Sequence, residues 1–231
     1  MCLARGRLPS AGKTLKHPFH NAEFVTTAAN WHQLPGGDAP EVAFAGRSNA
    51  GKSSAINALT QRARLAYVSR TPGRTQHINF FRAPSGALLA DLPGYGYAAV
   101  PEKIRRHWEA FVARYLSQRA PLVGLVLLMD ARHAFTELDR QLLSWFLPSG
   151  RPVRILLTKA DKLGTIAQRD TLRDAQRTLA RDFAAGWIEL QLFSATKRIG
   201  LAEAEAALSA WIAPPPQGDG AEKERPRHQG E

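Results

Sequence analysis

Residues 41–60 have the sequence EVAFAGRSNAGKSSAINALT, and this stretch decides the fold. It starts as a short apolar run typical of a strand, passes through a turn that contains Gly46 and Gly51, and continues as a helical pattern. Residues 46–53 fit the pattern Gly-x4-Gly-Lys-Ser, in which backbone N–H groups at the start of a helix surround phosphate oxygens. We therefore expect a strand, a phosphate-binding loop and a helix in this order, with a purely structural turn as the alternative.

Each polar group of this loop has an expected role. Lys52 is expected to bridge the β- and γ-phosphates of a nucleotide, and the Ser53 hydroxyl is expected to bind Mg²⁺. The backbone of the other loop residues surrounds the phosphates, and glycine is needed where the chain passes too close for a side chain. These residues are Gly46, Arg47, Ser48, Asn49, Ala50 and Gly51.

Apolar runs and amphipathic stretches alternate along the rest of the chain. This alternation favours an α/β fold of three layers, in which helices cover both faces of a mostly parallel, doubly wound sheet. A predicted hairpin at residues 78–91 adds one antiparallel edge strand. Ligands of such sheets bind at the carboxyl ends of the strands, where the polar motifs of this sequence are concentrated. Further strands are predicted at 41–46, 122–130, 153–161 and 188–193, and helices at 51–61, 101–119, 137–146, 166–184 and 201–212.

The motif DLPG at residues 91–94 follows the hairpin. Asp91 is expected to hold a water molecule on Mg²⁺, and the Gly94 N–H is expected to meet the γ-phosphate, although such sequences are also ordinary turns. Tyr95 follows, where a nucleotide hydrolase often keeps a water-orienting glutamine. A normal tyrosine stays protonated near neutral pH, so Tyr95 is no obvious base. We expect Tyr95 and Tyr97 to belong to a switch that presents its state to a partner.

Two motifs in the second half of the chain predict a site for guanine. In TKAD, at residues 158–161, the Asp161 carboxylate can accept both the N1–H and the exocyclic amine of guanine, a donor pair that adenine does not offer. The Lys159 stem is expected to cover the face of the base. In FSAT, at residues 193–196, a backbone N–H can meet the guanine O6. The sequence therefore favours GTP over ATP as the ligand.

A segment at residues 69–76, SRTPGRTQ, lies where a GTPase keeps the loop that donates a threonine to Mg²⁺. Thr71 precedes a proline, which holds it in an extended conformation. Thr75 lies just before the next strand and therefore nearer the phosphates. We expect Thr75 to be the Mg²⁺ ligand, with Thr71 as the competing candidate.

Composition indicates the cellular context. The formal net charge is +11, which favours polyanionic partners such as nucleic acid, although the charge can instead serve solubility alone. No apolar run is long enough for a membrane helix or a signal sequence, and the chain has one cysteine, so we expect a cytoplasmic protein. Residues 1–20 are predicted to be a basic, disordered arm, residues 21–213 one domain, and residues 214–231 a disordered tail rich in Pro, Gly and charge.

Five motifs together resemble the EngB family of bacterial GTPases, which belongs to the translation-factor-like class. They are GRSNAGKSSAINALT, TPGRTQHINFF, DLPGYGYA, TKAD and FSAT, and the likeness extends from about Glu23 to Ile212. The resemblance implies a Ras-like fold, Mg²⁺-dependent binding of GTP and GDP, and slow hydrolysis of GTP. It also implies a monomer that takes part in late assembly of the large ribosomal subunit, contacts the precursor particle and its rRNA, and is needed for growth, septation and cell division.

The site residues of the family transfer by position. Ser53 and Thr75 are implied as Mg²⁺ ligands, and Thr158 stands where most GTPases have asparagine. Asn49 occupies the position at which related GTPases bind K⁺ beside the phosphates, and support of the loop backbone is the alternative. Catalytic roles are thus implied for Lys52, Thr75 and Asn49. The implied nucleotide-binding residues outside the phosphate loop are Gly73, Arg74, Thr75, Gln76, His77, Asp91, Leu92, Pro93, Gly94, Thr158, Lys159, Ala160, Asp161, Phe193, Ser194 and Ala195.

Two other functions stay open on the sequence. A P-loop kinase or ATPase would bind ATP, which TKAD opposes, and a non-catalytic module would use bound GTP as a structural strut while it docks on ribosomal particles. Basic side chains flank the apolar face of the 101–119 helix, and we expect them either to contact rRNA or to form a solvated face. They are Lys103, Arg105, Arg106, Arg114 and Arg119.

Overall fold

The computed structural model describes residues 17–66, 77–96, 102–183 and 187–213, with the backbone alone at residues 102–105, 107 and 108. Seven strands and five α-helices lie in this part of the chain. The strands are β1 (Glu23–Ala28), β2 (Glu41–Gly46), β3 (Ile78–Arg82), β4 (Leu88–Asp91), β5 (Leu122–Asp130), β6 (Val153–Thr158) and β7 (Ile188–Leu192). The helices are α1 (Lys52–Thr60), α2 (Glu102–Gln118), α3 (Glu137–Phe146), α4 (Thr165–Asp182) and α5 (Leu201–Ile212).

The strands form one sheet in the order β1-β3-β4-β2-β5-β6-β7. β3 runs antiparallel to both of its neighbours, whereas the other neighbouring strands of this sheet pair in parallel. The predicted α/β fold, with a mostly parallel sheet and one reversed strand, is confirmed. The reversed strand lies one position in from the edge, because β1 pairs with its outer side. The sequence does not predict β1, since most of its side chains are exposed and EFVTTA lacks the alternation of a half-buried strand.

Successive side chains of β5 divide the apolar core between the two faces of the sheet. Leu127 packs in the layer that contains α2 and α3, and Leu128 packs in the layer that contains α1 and α5. A Cβ atom on Gly124 would come within 2.4 Å of the Trp211 ring of α5. Glycine near the start of β5 therefore allows α5 to pack directly onto the sheet.

A buried ion pair lies at the amino end of β2. Glu41 begins this strand and is fully buried. The Tyr115 hydroxyl donates to Glu41 Oε2 at 2.8 Å, and Arg119 Nε donates to the same oxygen at 3.0 Å. Arg119 Nη2 also donates to the Pro35 carbonyl oxygen at 2.6 Å. The prediction that Arg119 belongs to an rRNA-binding or solvated face is wrong, because a buried carboxylate needs a cation and holds this guanidinium.

The described part of the predicted N-terminal arm is packed on the domain. Phe19 is fully buried in the core layer that contains α1 and α5. The Asn21 N–H donates to the Thr60 carbonyl oxygen at 2.9 Å, which ties this segment to the end of α1. The rest of the arm and the predicted tail at 214–231 lie outside the described residues, so their disorder stays a prediction. No helix in the four described ranges is both long and apolar enough to span a membrane.

Candidate functional site

The phosphate-binding loop begins where the end of β2 touches β5. A Cβ atom on Gly46 would lie 2.7 Å from the Leu128 carbonyl oxygen, so only glycine fits at this strand end. Asn49 and Gly51 then adopt positive φ angles of 65° and 90°, which curl the loop. Helix α1 starts directly afterwards, at Lys52. The predicted order of strand, glycine-containing loop and helix is confirmed.

An ion pair joins the phosphate loop to the end of β4. Lys52 Nζ contacts Asp91 Oδ1, and the two side chains are only 11% and 8% exposed. Lys52 begins α1 and Asp91 ends β4, and the parallel pairing of β2 with β4 places these two ends side by side. The fold thus brings together a residue predicted to bind phosphate and a residue predicted to lie beside Mg²⁺.

The turn after β4 is hydrogen-bonded to the phosphate loop. The Ser48 N–H donates to the Tyr95 carbonyl oxygen at 2.9 Å, and the Tyr95 N–H donates to the Gly46 carbonyl oxygen at 3.4 Å. A Cβ atom on Gly94 would lie 3.2 Å from Ser48 Cα and 3.3 Å from Ser48 N, so the turn passes directly over the loop. A contact between the Gly94 N–H and the γ-phosphate requires such an approach, and that contact stays a prediction.

The Tyr95 side chain points into the core. The residue is 7% exposed, and its hydroxyl donates to Asp139 Oδ1 at 2.6 Å. Burial, followed by the negative charge of Asp139, raises the pKa of Tyr95 well above its ordinary value. The hydroxyl therefore stays protonated, which supports the expectation that Tyr95 is no general base. The Tyr95 side chain therefore faces the protein interior rather than a partner, and the membership of Tyr95 in a switch stays a prediction.

Thr158 ends β6 and supports the phosphate loop from behind. Its buried hydroxyl lies 2.6 Å from the Ala50 carbonyl oxygen and 3.1 Å from the Met129 carbonyl oxygen, within hydrogen-bond distance of both. In this structure the hydroxyl therefore holds the loop backbone in place. A direct contact between Thr158 and the base stays a prediction.

Asp161 lies just beyond the end of β6 and Ser194 just beyond the end of β7, and the two side chains are in contact. The Ser194 hydroxyl donates to Asp161 Oδ1 at 2.6 Å, and the Ala160 N–H donates to the Phe193 carbonyl oxygen at 3.2 Å. The hydrogen bond from Ser194 is the main cause that lowers the pKa of Asp161, and the charge of Lys162 lowers it further. Asp161 is therefore an ionised acceptor, which is the form that the two guanine donors require.

Asp130, which ends β5 and pairs in register with Thr158, is a further polar residue of the site and lies outside the sequence motifs. Lys159 Nζ lies 3.0 Å from Asp130 Oδ2, and Arg132 Nη2 lies 2.7 Å from the same oxygen. These contacts, above all the hydrogen bond from Arg132, hold the pKa of Asp130 far below its usual value. Asp130 thereby fixes the tip of Lys159, whose stem is predicted to cover the base. The signal for Asp130 in the sequence is its position at the carboxyl end of a strand, since no motif surrounds it.

Part of the predicted site lies outside the described residues. Its residues are Gly73, Arg74, Thr75 and Gln76, with the competing Thr71 and with Tyr97. His77 is described and is exposed just before β3. On α2 the side chains of Arg106 and Arg114 are exposed, and Arg114 stacks over Trp31 at 4.2 Å from the ring centroid. The other predicted basic contacts, Lys103 and Arg105, have no described side chains, so their roles stay predictions.

A second polar group connects the segment before β1 to α5. His17 Nδ1 and His20 Nε2 lie 3.1 Å and 3.5 Å from the same oxygen, Glu205 Oε1, a spacing that would suit a metal ion. The two imidazole rings are stacked, however, with their planes 5° apart and their centroids separated by 4.2 Å. Their lone pairs lie in nearly parallel planes and do not converge on one ion. We interpret this group as a polar link between two parts of the fold.

The polar groups at the carboxyl ends of β2, β4, β6 and β7 define the class of protein. A glycine-containing loop with its lysine, an aspartate paired with that lysine, and an ionised carboxylate beside a serine all lie at the carboxyl ends of one doubly wound sheet. This combination is typical of a P-loop GTPase.

The family model of the 50S ribosome-binding GTPases matches residues 41–159. The probable GTP-binding protein EngB of Azoarcus sp. (strain BH72) is 54% identical over 196 residues, which cover 85% of this chain and 93% of that protein. The chain therefore belongs to the EngB family of GTP-binding proteins and is a GTPase.

Solved structures agree with this fold. The crystal structure of a probable GTP-binding protein EngB has a TM-score of 0.58 at 19% identity, covering 74% of this chain and 98% of that one. An Era variant of Aquifex aeolicus bound to GDP and AlF4⁻ has a TM-score of 0.61 at 19% identity, covering 78% of this chain and 58% of that one. At such identities the likeness concerns the fold alone.

Proposed function

We propose that this chain is a Mg²⁺-dependent switch that binds GTP, hydrolyses it slowly and acts late in the assembly of the large ribosomal subunit. The observation that carries the proposal is the presence of two polar pairs on one edge of the sheet, Lys52 with Asp91 and Asp161 with Ser194. The first pair suits phosphates and their metal ion, and the second suits guanine. A single nucleotide presents these two chemistries at its opposite ends.

The residues at the phosphate loop fit Mg²⁺, which prefers hard oxygen ligands and keeps several of its waters. Ser53 lies in the first turn of α1, and Asp91 offers a carboxylate that already balances the positive charge of Lys52. Ser53 and Thr75, which lies outside the described residues, would hold the ion directly, and Asp91 would hold one of its waters. When bound, the ion would neutralise negative charge on the phosphates.

The contact between Lys52 and Asp91 supports a binding step in which both charges change partner. Lys52 would turn towards the phosphate oxygens, and Asp91 would turn towards the water shell of the metal ion. Each side chain is nearly buried, so its charge needs a partner in either arrangement. The pair keeps both groups compensated before nucleotide arrives.

Hydrolysis is proposed to depend on Lys52 and on backbone N–H groups of the phosphate loop and of Gly94, which stabilise negative charge in the transition state. Tyr95 supplies neither a base nor a group that orients water, because its protonated hydroxyl donates to Asp139. The water-orienting glutamine of faster hydrolases has no counterpart at this position. We therefore expect slow turnover by the protein alone.

The proposed partner is the precursor of the large ribosomal subunit with its rRNA. The family description, a 50S ribosome-binding GTPase, supports this partner. The net charge of +11 supports it as well, since basic proteins are attracted to the phosphates of RNA. Exposed Arg106 and Arg114 on α2 offer contacts for those phosphates. We further propose that the protein is a cytoplasmic monomer. Its binding and hydrolysis of GTP on the precursor particle would support growth, septation and cell division.

Sedimentation of the protein with large ribosomal subunits, in the presence of a GTP analogue or of GDP, tests the proposal. We expect more protein to sediment with the analogue, because a switch requires that its two nucleotide states differ in affinity for the particle. Lys52→Ala is the control and should sediment equally with either nucleotide. Equal sedimentation of the wild-type protein would contradict the switch. Preference for ATP over GTP in a competition assay would contradict the proposal that GTP is the ligand.

A K⁺ ion beside the phosphates, held by Asn49, is a further part of the proposal. The φ of 65° at Asn49 offers the other explanation, since asparagine tolerates this conformation better than most residues. Asn49→Gly separates the two, because glycine keeps the positive φ and removes the amide. We expect faster GTP turnover in KCl than in NaCl for the wild-type protein and equal turnover for the variant. Equal turnover of the wild-type protein in both salts would end the idea.

A further inference from the structure

Two consecutive residues after the DLPG turn lie close to two consecutive residues of α3. The Tyr95 hydroxyl donates to Asp139 Oδ1 at 2.6 Å, and a Cβ atom on Gly96 would lie 3.1 Å from Leu138 Cδ1. We propose that the hydrogen bond between Tyr95 and Asp139 transmits the state of this turn to the start of α3, with Asp139 as a positioning residue. The inference rests on the proposed function, in which the turn responds to the γ-phosphate.

The first link is the attachment of the turn to the phosphate loop. The backbone of Tyr95 exchanges hydrogen bonds with Ser48 and Gly46, and Gly94 lies against Ser48. Any shift of the turn towards or away from the terminal phosphate therefore moves the Tyr95 backbone. The Tyr95 side chain, which starts from this backbone, follows the same shift.

The second link is the burial of both partners of the hydrogen bond. Tyr95 is 7% exposed and Asp139 is fully buried, so water does not replace either partner easily. Loss of this buried hydrogen bond takes away the contact of the Tyr95 hydroxyl and of Asp139 Oδ1, which is far costlier than the same loss at the surface. A shift of Tyr95 therefore either moves Asp139 with it or breaks a hydrogen bond whose loss is unfavourable.

The third link is the role of Asp139 in the N-terminal cap of α3. Its second oxygen, Oδ2, accepts hydrogen bonds from the Thr136 N–H and the Thr136 hydroxyl, each at 2.8 Å. This arrangement is a capping box, which satisfies backbone groups that the first turn of a helix leaves free. One carboxylate thus serves Tyr95 through one oxygen and the helix cap through the other, so a change at Tyr95 acts directly on the cap.

The final link is the position of α3 within its layer. Leu142, Leu143 and Phe146 of α3 pack in the same core layer as side chains of α2. Arg140 forms an ion pair with Asp182 at the end of α4. A change at the start of α3 therefore reaches two neighbouring helices on this face of the sheet.

Amide hydrogen exchange of the full chain, saturated with a GTP analogue or with GDP, tests the inference. In the wild-type protein we expect residues 91–96 and the first turn of α3 each to exchange at different rates with the two nucleotides. Tyr95→Phe keeps the ring and removes the hydroxyl. In this variant we expect the difference to persist at residues 91–96 and to be lost at α3.

Two variants control for general loss of stability. Tyr115→Phe removes the hydroxyl of a second buried tyrosine that donates to a carboxylate, and Thr136→Ala weakens the α3 cap while leaving Tyr95 bound to Asp139. Both should keep the nucleotide-dependent difference at α3.

Three outcomes would overturn the inference. The first is a nucleotide-dependent difference in amide exchange at α3 that persists in Tyr95→Phe. The second is a wild-type protein in which exchange at residues 91–96 depends on the nucleotide but exchange at α3 does not. Each of these leaves the proposed function intact. The third is a wild-type protein in which residues 91–96 do not respond to the nucleotide. That result would remove both the γ-phosphate contact of the proposed function and the signal to be transmitted.

Discussion

A buried tyrosine donates its hydroxyl to a carboxylate near each end of the sheet. Tyr115 donates to Glu41 at 2.8 Å beside the amino end of β2, and Tyr95 donates to Asp139 at 2.6 Å beyond the carboxyl end of β4. In both cases burial, followed by the charge of the carboxylate, raises the pKa of the tyrosine well above its ordinary value. The two pairs are chemically alike, yet their surroundings differ.

The charged and polar groups at the amino end, Glu41, Tyr115 and Arg119, find their partners within the protein. Arg119 contacts Glu41 through its side chain and also donates to the Pro35 carbonyl oxygen, so charges and donors are balanced inside the protein. At the other end the charged groups are paired between a helix start and a strand end, as with Lys52 of α1 and Asp91 of β4. A ligand can take over one partner of such a pair without unfolding the chain. We infer that the amino end serves stability and the carboxyl end serves binding.

The largest expected effect is on stability, from Glu41→Ala. The substitution leaves the Arg119 guanidinium without its buried carboxylate and the Tyr115 hydroxyl without its acceptor. Breaking a buried ion pair in this way costs about 3–5 kcal/mol of the free energy of unfolding, measured by urea denaturation. Glu41→Gln keeps an acceptor oxygen and should lose less. A large change in GTP affinity of the folded Glu41→Ala protein would contradict the division between the two ends.

Lys52→Ala should show the opposite pattern. We expect GTP affinity to fall at least about 30-fold, because truncation of one partner of a close charge pair costs about 2–5 kcal/mol. The free energy of unfolding should fall by less than in Glu41→Ala, since the Asp91 side chain is 8% exposed and can be reached by water, whereas Glu41 is fully buried. Titration with a fluorescent GTP analogue and urea denaturation measure the two quantities. Arg177→Ala on α4, which removes one exposed positive charge, should change neither.

The carboxyl end is largely predictable from the sequence because its chemistry is local. Residues 46–53 form a loop whose glycines and lysine have meaning through their spacing alone, and Asp91 and Asp161 lie in short motifs directly after strands. Parallel pairing of the strands then brings these motifs to one edge of the sheet. The fold class follows from the same alternation of strands and helices.

The rest depends on partners that are distant in the chain. Glu41 and Tyr115 are separated by 74 positions, and Tyr95 and Asp139 by 44, so no local pattern indicates that either pair is buried together. The burial of the Tyr95 side chain is not evident from the sequence for this reason, because distant α3 supplies the acceptor. β1 is likewise held by its pairing with β3 rather than by its own composition.

Thr158→Val should lower the nucleotide affinity moderately and shows whether Thr158 acts on the phosphate loop or on the base. The variant keeps the shape of the side chain and removes the hydroxyl that lies beside the Ala50 carbonyl oxygen. Loss of one such hydrogen bond, at about 0.5–1.5 kcal/mol, predicts a two- to tenfold lower affinity. GTP and ITP, which lacks the exocyclic amine, should be affected equally if Thr158 acts on the loop. Competition binding with both nucleotides measures this, and Asp161→Asn, which should reduce the preference for GTP, is the positive control. A selective loss of GTP would instead support a contact between Thr158 and the exocyclic amine of guanine, the group that ITP lacks.

The smallest expected effect is that of pH on the preference for GTP over ITP. Ser194 lowers the pKa of Asp161 below its ordinary value, so this carboxylate is ionised at every pH above about 4. A group with a lowered pKa in the folded protein contributes stability above its unfolded pKa and loses it only as the pH falls through the lowered value. Both nucleotides carry the same phosphates, whose titration cancels in the ratio of their affinities. We therefore expect a constant ratio from pH 5 to pH 8 in competition experiments. A ratio that falls between pH 8 and pH 5 would mean that Asp161 takes up a proton in this range, and the ionised acceptor assigned to the guanine end would have to be sought at another residue.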